Sequence, residues 1–292
     1  MEPANLTIRP ARLSDRERVV EMTRDVWEGN DYIPFIWDTW ATQAHGVVLV
    51  AEMSGRIVGL QNQYLQNSRL AWIEGIRVDS ALRGRGIAKS LLRAGIRWAT
   101  WHGCDLCRLT TASENPASNR LAEEAGFRRL TSFDALQSEP DPSSSMDVPH
   151  VRLGRSWEVE TVVDILRDPT HSGTCGIAMK GWTAEDVTEG YIRSRLGMNS
   201  VLVFDDATIR GACVVACHPP FNRIQLEAFV GDADAVAALG TYLRARQSEH
   251  DVRAFVALPE ASLNRLLASG YRRAFEFKVN LYELDLTQRM LD

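Results

Sequence analysis

A basic, glycine-rich loop is the part of the sequence best suited to hold a charged ligand. Arg83-Gly84-Arg85-Gly86 follows an apolar run that ends at Val78, and Ile87 and Ala88 begin a segment of helical spacing that also carries Lys89. N–H groups at the start of a helix attract anions, and glycines let a phosphate approach the main chain closely. The basic side chains add attraction for a polyanion. We therefore predict a phosphate-binding loop, with a solvated helix-capping turn as the alternative.

The spacing of the glycines narrows the class of phosphate ligand. The loop matches neither the longer Walker pattern of nucleotide triphosphate sites nor the three-glycine pattern of dinucleotide folds. Nucleotide triphosphates and NAD are therefore disfavoured as ligands.

The segments around the loop alternate between strand and helix patterns. Two apolar runs flank Ser54-Gly55 and predict a hairpin, and residues 70–78 predict a further strand. Residues 87–101 repeat apolar side chains at helical spacing, residues 106–111 predict a strand, and a second helix is expected from Pro116 until just before Gly126. The loop is thus expected between the end of a strand and the start of a helix.

The length of 292 residues is comfortable for two domains. Residues 138–145 are rich in proline, serine and acidic residues and have little to bury. We therefore predict a linker at 138–149 between an N-terminal domain, 1–137, and a C-terminal domain, 150–292.

The second half repeats the first half weakly but in order. Val201–Phe204 resembles Val48–Ala51, and Leu226–Phe229 resembles Ile73–Ile76 at the same offset. The counterpart of Arg83–Ala88 is missing from the second half, so we expect one active site per chain. Chance similarity between two units of strands and helices is the alternative.

Composition sets broad limits on the partners. A net charge of -5, with 45% hydrophobic and 24% charged residues, predicts an ordinary globular protein without a nucleic-acid or anionic-membrane surface. The N-terminal residues lack a secretory pattern, so a cytoplasmic location is expected. The pairs Cys104/Cys107 and Cys213/Cys217 lie in or beside apolar runs, which favours small buried side chains over a metal site. The oligomeric state stays open.

Two segments together resemble a known family. Ile76–Ala88 looks like the signature of the GNAT acetyltransferase superfamily, in which Arg/Gln-x-x-Gly-x-Gly/Ala follows a strand. Asn115–Leu121 and the following Gly126-Phe127 resemble the second signature of that family, so the resemblance covers about Leu6 to Phe133. It implies an α/β (α+β) GNAT fold: a mixed, mostly antiparallel sheet flanked by helices, followed here by a second, degenerate GNAT-like half.

The resemblance also implies a cosubstrate, acetyl-CoA, and no metal. Main-chain groups of one strand would hold the pantetheine arm, backbone N–H groups of the loop would hold the pyrophosphate, and the end of the next strand would contact the pantetheine. The strand residues are Ile76, Arg77 and Val78, those of the loop are Arg83, Gly84, Arg85, Gly86, Ile87, Ala88 and Lys89, and those at the next strand end are Asn115 and Ser118. The N–H of Val78 or a neighbour would stabilise the oxyanion.

Direct attack by an amine requires a base, because amines are mostly protonated near neutral pH. Glu74 is the candidate, since it lies four residues before Val78 and period-two alternation places both on one side of the strand. The alternative is an exposed glutamate on a half-solvated strand. Many family members protonate the leaving thiolate with a tyrosine where this chain has Ala122, so the general acid is left open among water and three tyrosines: Tyr32, Tyr64 and Tyr282.

Finer details resemble the vertebrate histidine N-acetyltransferase group, which acetylates the α-amine of a free amino acid. The resemblance rests on Asp31–Pro34, the strand Ile73–Val78, the tandem half and Leu281–Leu286. Asp31, Tyr32 and Glu227 are candidates for binding the acceptor; the alternatives are a helix cap, a core aromatic residue and a surface acid.

The sequence therefore predicts an enzyme that moves acetyl from acetyl-CoA to a primary amine of a small polar metabolite. The acceptor suggested by the resemblance is a free amino acid such as histidine. An antibiotic or polyamine acetyltransferase is one alternative. A non-catalytic acetyl-CoA-binding module is the other.

Overall fold

The computed structural model describes residues 5–143, 147–174, 176–218, 223–246 and 251–287. The chain divides into two compact units. The first contains the described residues up to Thr110, Asn115–Arg128 and those from Tyr282 onwards; the second contains Thr111–Glu114 and Arg129–Leu281.

The first unit is a sheet with helices on both faces. Its strands are β1 (Leu6–Pro10), β2 (Gly46–Met53), β3 (Arg56–Leu65), β4 (Leu70–Val78) and β5 (Leu106–Ala112), and its helices are α1 (Arg16–Thr23), α2 (Ile33–Ala41), α3 (Ile87–Trp101) and α4 (Pro116–Glu124). The strands follow the chain order, with antiparallel pairs from β1 to β4 and a parallel pair between β4 and β5. The predicted hairpin, loop and following helix are confirmed.

Alternation along the central strands supplies both faces of this sheet. One face packs against α3, for example through Leu49 of β2 and Leu91, and the other packs against α1 and α2, for example through Val50 of β2 and Trp37. Every one of these four side chains is buried. Because the two faces use alternate residues, a side chain of β3 or β4 can be assigned to one helix layer by its register.

The second unit repeats this plan. Its strands are β6 (Arg128–Ser138), β7 (Val151–Leu153), β8 (Ile177–Lys180), β9 (Thr183–Asp186), β10 (Val201–Asp206), β11 (Thr208–His218), β12 (Arg223–Gly231), β13 (Asp251–Val256) and β14 (Arg272–Asp285), and its helices are α5 (Val159–Arg167), α6 (Glu189–Gly197), α7 (Ala233–Arg246) and α8 (Glu260–Ala268). The order is β6-β13-β12-β11-β10-β7, and β8 and β9 form a separate hairpin. The parallel pair of this unit is β12 with β13.

The compact units do not follow the predicted boundaries of 1–137, 138–149 and 150–292. Strand β6 pairs with β13, so Asp134 to Ser138 belong to the second unit. The end of β14 belongs to the first unit, because Tyr282, Leu284 and Leu286 pack in its core. Strand pairing and burial join residues that are far apart in sequence. The composition along the chain therefore does not show that β6 belongs to the second unit and the end of β14 to the first. Residues 144–146 of the predicted linker lie outside the described residues.

Candidate active site

Strand β4 carries an extra residue beside the candidate base. Asn62 on β3 lies opposite Glu74. Leu60 lies opposite Arg77, so two steps along β3 match three steps along β4. Gly75 follows Glu74 at a φ of +66°, a left-handed conformation that favours glycine and is typical of a β-bulge.

The bulge corrects the predicted orientation of Glu74. Residues opposite each other in an antiparallel pair share a face, so Glu74 lies on the same face as Arg77, towards α1 and α2. Val78 packs on the other face, towards α3. Simple alternation from Glu74 to Val78 was therefore wrong, because it counted no bulge. A Cβ at Gly75 would also lie 2.5 Å from a ring carbon of Trp40, which adds a steric reason for glycine.

The Glu74 carboxylate is half-buried and is held by uncharged donors. Asn62 Nδ2 donates a hydrogen bond of 3.0 Å to Glu74 Oε1, and Trp72 contributes a second side-chain hydrogen bond. Burial raises the pKa of Glu74, and these two hydrogen bonds oppose the rise. A carboxylate with a raised pKa is a stronger proton acceptor than an ordinary surface glutamate.

Asn62 is itself oriented by a second amide. It is fully buried, and Gln43 Nε2 donates a hydrogen bond of 2.6 Å to its Oδ1. This bond leaves the Nδ2 group of Asn62 directed at Glu74. Sequence reasoning missed both amides, because their contacts join β3, β4 and the residues after α2. Gly75 within an apolar strand was the one available signal of the bulge.

Strands β4 and β5 pair only at their beginnings. The parallel register joins Leu70–Trp72 with Leu106–Arg108, although both strands continue beyond these residues. The following residues of β4 therefore have an edge that β5 does not pair with, among the residues described. Ile76, Arg77 and Val78, the predicted pantetheine-binding residues, all lie on this open stretch.

Val78 has its main-chain N–H on the open side. The N–H of Asp79 donates to the carbonyl of Val58 over 2.9 Å, which makes these two residues a hydrogen-bonded pair. Val78 pairs with Gly59, the next position along. Hydrogen-bonded and non-bonded pairs alternate in an antiparallel ladder, so the Val78 N–H points away from β3 and towards the gap beside β5.

The predicted phosphate loop joins this open strand to α3. Gly84 and Gly86 have φ angles of +76° and +81°, and α3 begins at Ile87 without a side-chain cap. In the described part of the chain, nothing accepts a hydrogen bond from the N–H groups of residues 83 to 88. Arg83 and Arg85 are exposed. Lys89 contacts Glu124 over 3.2 Å at the surface. The loop is therefore an array of free donors at a helix N-terminus.

The predicted contacts at the end of β5 lie at the start of α4. Asn115 caps this helix: its Oδ1 accepts the N–H of Ser118 over 3.1 Å. Its carbonyl accepts hydrogen bonds from the main chain and side chain of Asn119. Asn115 and Ser118 are thus brought together, just beyond the end of β5.

The position of the usual tyrosine is filled by core packing. Ala122 is buried in the same cluster as Tyr282. The Tyr282 hydroxyl lies 2.9 Å from Asn119 Oδ1 and 2.9 Å from Glu123 Oε1, both on α4. The hydroxyl has a single proton and faces two acceptors on α4, so it is not oriented to donate that proton to a leaving thiolate. We assign no general acid.

Asp31 orders the N-terminus of α2. It is buried, and Arg77 donates to it through Nε over 2.7 Å and through a terminal nitrogen over 3.2 Å. Its Oδ1 also accepts the N–H of Ile33 over 3.1 Å. The carboxylate thus links the start of α2 to β4, although the N-cap residue of α2 is Tyr32 and not Asp31.

Aromatic rings lie beside Glu74. The guanidinium of Arg77 stacks 4.4 Å from the ring centre of Trp27 and 5.6 Å from that of Tyr32. Tyr32 stacks on Trp27 and meets Trp40 edge-on. Burial raises the pKa of Tyr32 to about 12, with the charge of Glu74 adding to the rise. Trp27 is 59% exposed, so these rings form an accessible wall next to the candidate base.

The backbone before α2 is strained where it presents this wall. Trp27 and Glu28 have φ angles of 49° and 58°, although neither is glycine. Left-handed conformations of this kind cost roughly 1 kcal/mol each.

Glu227 belongs to a separate environment in the second unit. It is 3% exposed, accepts a hydrogen bond of 2.6 Å from the Tyr191 hydroxyl, and forms an ion pair of 2.6 Å with Arg195. The alternative interpretation of Glu227 as a surface acid is wrong, since it is buried. Because both partners occupy its carboxylate, we leave Glu227 out of the proposed acceptor site.

The residues described contain no group of three or more His, Cys, Asp or Glu side chains that could hold a metal ion. No helix within the described ranges is long and apolar enough to span a membrane. Cys104, Cys107 and Cys213 are buried as predicted, whereas Cys217 is exposed.

Comparisons with known proteins agree with this geometry. Residues 15–127 match the family model described as acetyltransferase (GNAT) family. A histidine N-acetyltransferase of Scomber australasicus is 29% identical over 94 residues, which are 32% of this chain and 28% of the relative. The chain thus aligns with less than a third of that relative's length.

Two solved structures extend the likeness over both units. An acetyltransferase structure from Thermoplasma acidophilum has a TM-score of 0.60 at 15% identity, covering 96% of this chain and 99% of its own. A tandem GNAT protein from the clavulanic acid biosynthesis pathway has a TM-score of 0.55 at 14% identity, covering 96% of this chain and 98% of its own. At these identities the likeness establishes the fold and its two-half architecture.

The phosphate loop, the separating strands and the bulge all lie inside or beside the matched stretch. Residues 15–127, nearly all within the first unit, therefore match the GNAT acetyltransferase family.

Proposed function

We propose that the protein transfers an acetyl group from acetyl-CoA to a primary amine of a small polar metabolite, with the α-amine of a free amino acid such as histidine as the acceptor. The observation that carries the proposal is the array of free N–H groups at the start of α3, next to the open edge of β4 and the half-buried carboxylate of Glu74.

The residues present fit acetyl-CoA. Gly84 has open space around the position of a Cβ, so an anion can approach its main chain without obstruction. The free N–H groups of residues 83–88 suit the pyrophosphate, and Arg83 and Arg85 add attraction for it. The open edge of β4 at Ile76–Val78 suits the amide groups of the pantetheine arm. Asn115 and Ser118 are proposed to contact that arm from the end of β5.

When bound, acetyl-CoA supplies the acetyl thioester. Glu74 receives a proton from the acceptor ammonium on its carboxylate, directly or through a water molecule, and so generates the neutral amine. Asn62 holds the carboxylate in position. The Val78 N–H, which points into the gap beside β5, is placed to donate a hydrogen bond to a developing oxyanion.

The surroundings of Glu74 suit a small amine with a flat polar ring. Trp27 and Tyr32 offer aromatic faces. Arg77 is neutralised by its two hydrogen bonds to Asp31, whereas Glu74 is held by the uncharged side chain of Asn62. A protonated amine is attracted to such a carboxylate, and an imidazole ring can stack on the aromatic faces. The relative whose name specifies histidine agrees with this choice of acceptor.

A panel of amines tests the proposal. Free-thiol release from acetyl-CoA is measured with amino acids, polyamines and aminoglycosides, and products are identified by mass spectrometry. We expect amino acids, with histidine among the best, to be acetylated on the α-amine. Preferred turnover of aminoglycosides or polyamines would select the antibiotic alternative. Tight binding of acetyl-CoA without turnover of any amine would instead select the non-catalytic module.

A further inference from the structure

The second unit contains a small cavity of about 80 Å³ against its central strands. Gln225 on β12 lies opposite Arg253 on β13, and both line the cavity. Their neighbours Leu226 and Ala254 pack towards α7 and α8, so alternation places the cavity on the other face of the sheet. One enclosed water needs only about 10–15 Å³ of such space, so the cavity has room for a larger group.

Arg253 brings an unsatisfied donor to this cavity. Its Nε is enclosed and has no hydrogen-bond partner in the described part of the protein. Buried polar atoms are nearly always paired, so an exception requires a specific explanation such as a ligand. Gln225, at 4% exposure, adds a buried amide to the same wall.

The surroundings of Arg253 are positively charged. Burial lowers the pKa of Arg253, the charges of Arg223 and Arg272 lower it further, and Asp251 opposes them. A guanidinium remains protonated in proteins even when its pKa falls. Arg272 is paired with Glu139 over 3.3 Å. Arg223 and Arg253 line the cavity, and among the described lining residues there is no carboxylate, so an anion can balance the charge of Arg253.

Aromatic rings close the cavity on its outer side. Gly181 and Trp182 form the two-residue turn between β8 and β9, where Lys180 pairs with Thr183. Gly181 has a φ of +65°, as the first position of a type II′ turn requires. The ring of Trp182 has its centre 6.2 Å from those of Phe255 and Phe275 and is 42% exposed.

We propose that this cavity is a binding site for a small organic carboxylate whose flat apolar part contacts Trp182, Phe255 and Phe275 while its carboxylate pairs with Arg253. A carboxylate is planar and matches the donor geometry of a guanidinium. The site lies entirely within the second unit, and it is independent of acetyl transfer in the first unit.

Benzoate is the test ligand, and benzamide is its neutral control. The full chain is labelled with 5-fluorotryptophan, and the ¹⁹F signal that is missing from Trp182→Phe identifies Trp182 among the eight tryptophans. We expect benzoate to shift this signal saturably and benzamide to leave it in place. A Trp182 signal that benzoate does not move, or that benzamide moves equally, overturns the proposal.

Variants locate the binding in the cavity. Arg253→Gln removes the charge, and Ala274→Leu fills the cavity without changing charge, so we expect each to weaken benzoate binding at least tenfold. Arg193→Gln removes an exposed arginine of α6 and should bind as the wild type does. If Arg253→Gln does not fold, the benzoate affinity of Ala274→Leu is the deciding measurement. A folded variant of either kind that binds benzoate as tightly as the wild type contradicts the proposal.

Discussion

Each unit places a glutamate at or beside a β-bulge but surrounds it differently. Glu74 in the first unit receives hydrogen bonds from the uncharged side chains of Asn62 and Trp72. Glu227 is the extra residue of β12 and is paired with Arg195 and Tyr191. A bulged strand thus carries a carboxylate with uncharged partners in the first unit and an ion-paired carboxylate in the second. A shared scaffold does not imply a shared activity.

The start of the helix that follows the bulged strand also differs between the two units, because among the described residues its N–H groups are free in one and hydrogen-bonded in the other. In the first unit, α3 starts at an uncapped glycine, Gly86, with basic residues around it. In the second unit, the carboxylate of Asp232 accepts hydrogen bonds from the N–H groups of Asp234 and Ala235 at the start of α7. An aspartate in that place already satisfies the donors and repels a phosphate. We therefore expect acetyl-CoA to bind the first unit alone.

The largest expected effect comes from Glu74→Gln. The variant keeps the shape of the side chain but cannot accept a proton, so we expect turnover to fall about 10²- to 10⁴-fold with nearly unchanged affinity for acetyl-CoA. Steady-state kinetics and calorimetric titration measure the two quantities. Wild-type turnover would remove Glu74 from the mechanism.

The same substitution at Glu227 is expected to act on stability instead. Glu227→Gln leaves the charge of Arg195, whose side chain is 18% exposed, without its partner and should lower the free energy of unfolding by about 3 kcal/mol. Denaturant unfolding measures this loss. Turnover per folded molecule should stay at the wild-type value; a loss comparable to that of Glu74→Gln would break the contrast between the units.

The third prediction concerns the loop. Gly86→Asp places a carboxylate among the N–H groups at the start of α3, so affinity for acetyl-CoA should fall about 100-fold, equivalent to about 2.7 kcal/mol. Gly103→Asp is the control, because Gly103 also has a positive φ, +75°, but lies after the end of α3. Equal affinities of the two variants would contradict the placement of the pyrophosphate.

Removing the amide that holds Glu74 has a smaller effect. The hydrogen bond from Asn62 lowers the pKa of Glu74 against the effect of burial, so Asn62→Leu should raise that pKa further. Since the base must be deprotonated, the acidic limb of kcat/KM against pH should move to higher pH, with a loss of about tenfold on that limb and less above it. A pH profile that keeps its acidic limb in place would show that Asn62 does not tune the base.

The smallest effect is a gain in stability. Burial holds the folded pKa of Glu74 above the ordinary value of 4.5, so the carboxyl stabilises the fold most below that value and loses this contribution as pH rises through the folded pKa. At pH 7 the ionised carboxylate therefore costs stability, and Glu74→Gln should unfold at a slightly higher temperature than the wild type. Below about pH 4 the difference should vanish. A lower melting temperature for Glu74→Gln at pH 7 would mean that the charge is compensated.

The elements that carry the site were predictable from sequence because their signals are local. Apolar periodicity predicted the strand Leu70–Val78 and the helix Ile87–Trp101, and both are confirmed. The orientation of Glu74 was not predicted correctly, since alternation fails at the bulge of Gly75. The amide donor Asn62 also depends on register between two strands, which sequence spacing does not define.

The division of the chain shows the same limit on a larger scale. The composition of residues 138–145 indicates a connection, but β6 and the end of β14 belong to units other than those nearest in sequence. Likewise, nothing local distinguishes the carboxylate of Glu74 from that of Glu227. Their difference arises from Tyr191 and Arg195, which a separate helix brings to Glu227.

A crystal structure with coenzyme A bound is the most direct test of the contrast between the units. We predict one molecule per chain, with its pyrophosphate oxygens accepting hydrogen bonds from N–H groups between Arg83 and Lys89 and its pantetheine arm along Ile76–Val78. A pyrophosphate bound at the start of α7, or anywhere else away from this loop, would contradict the account.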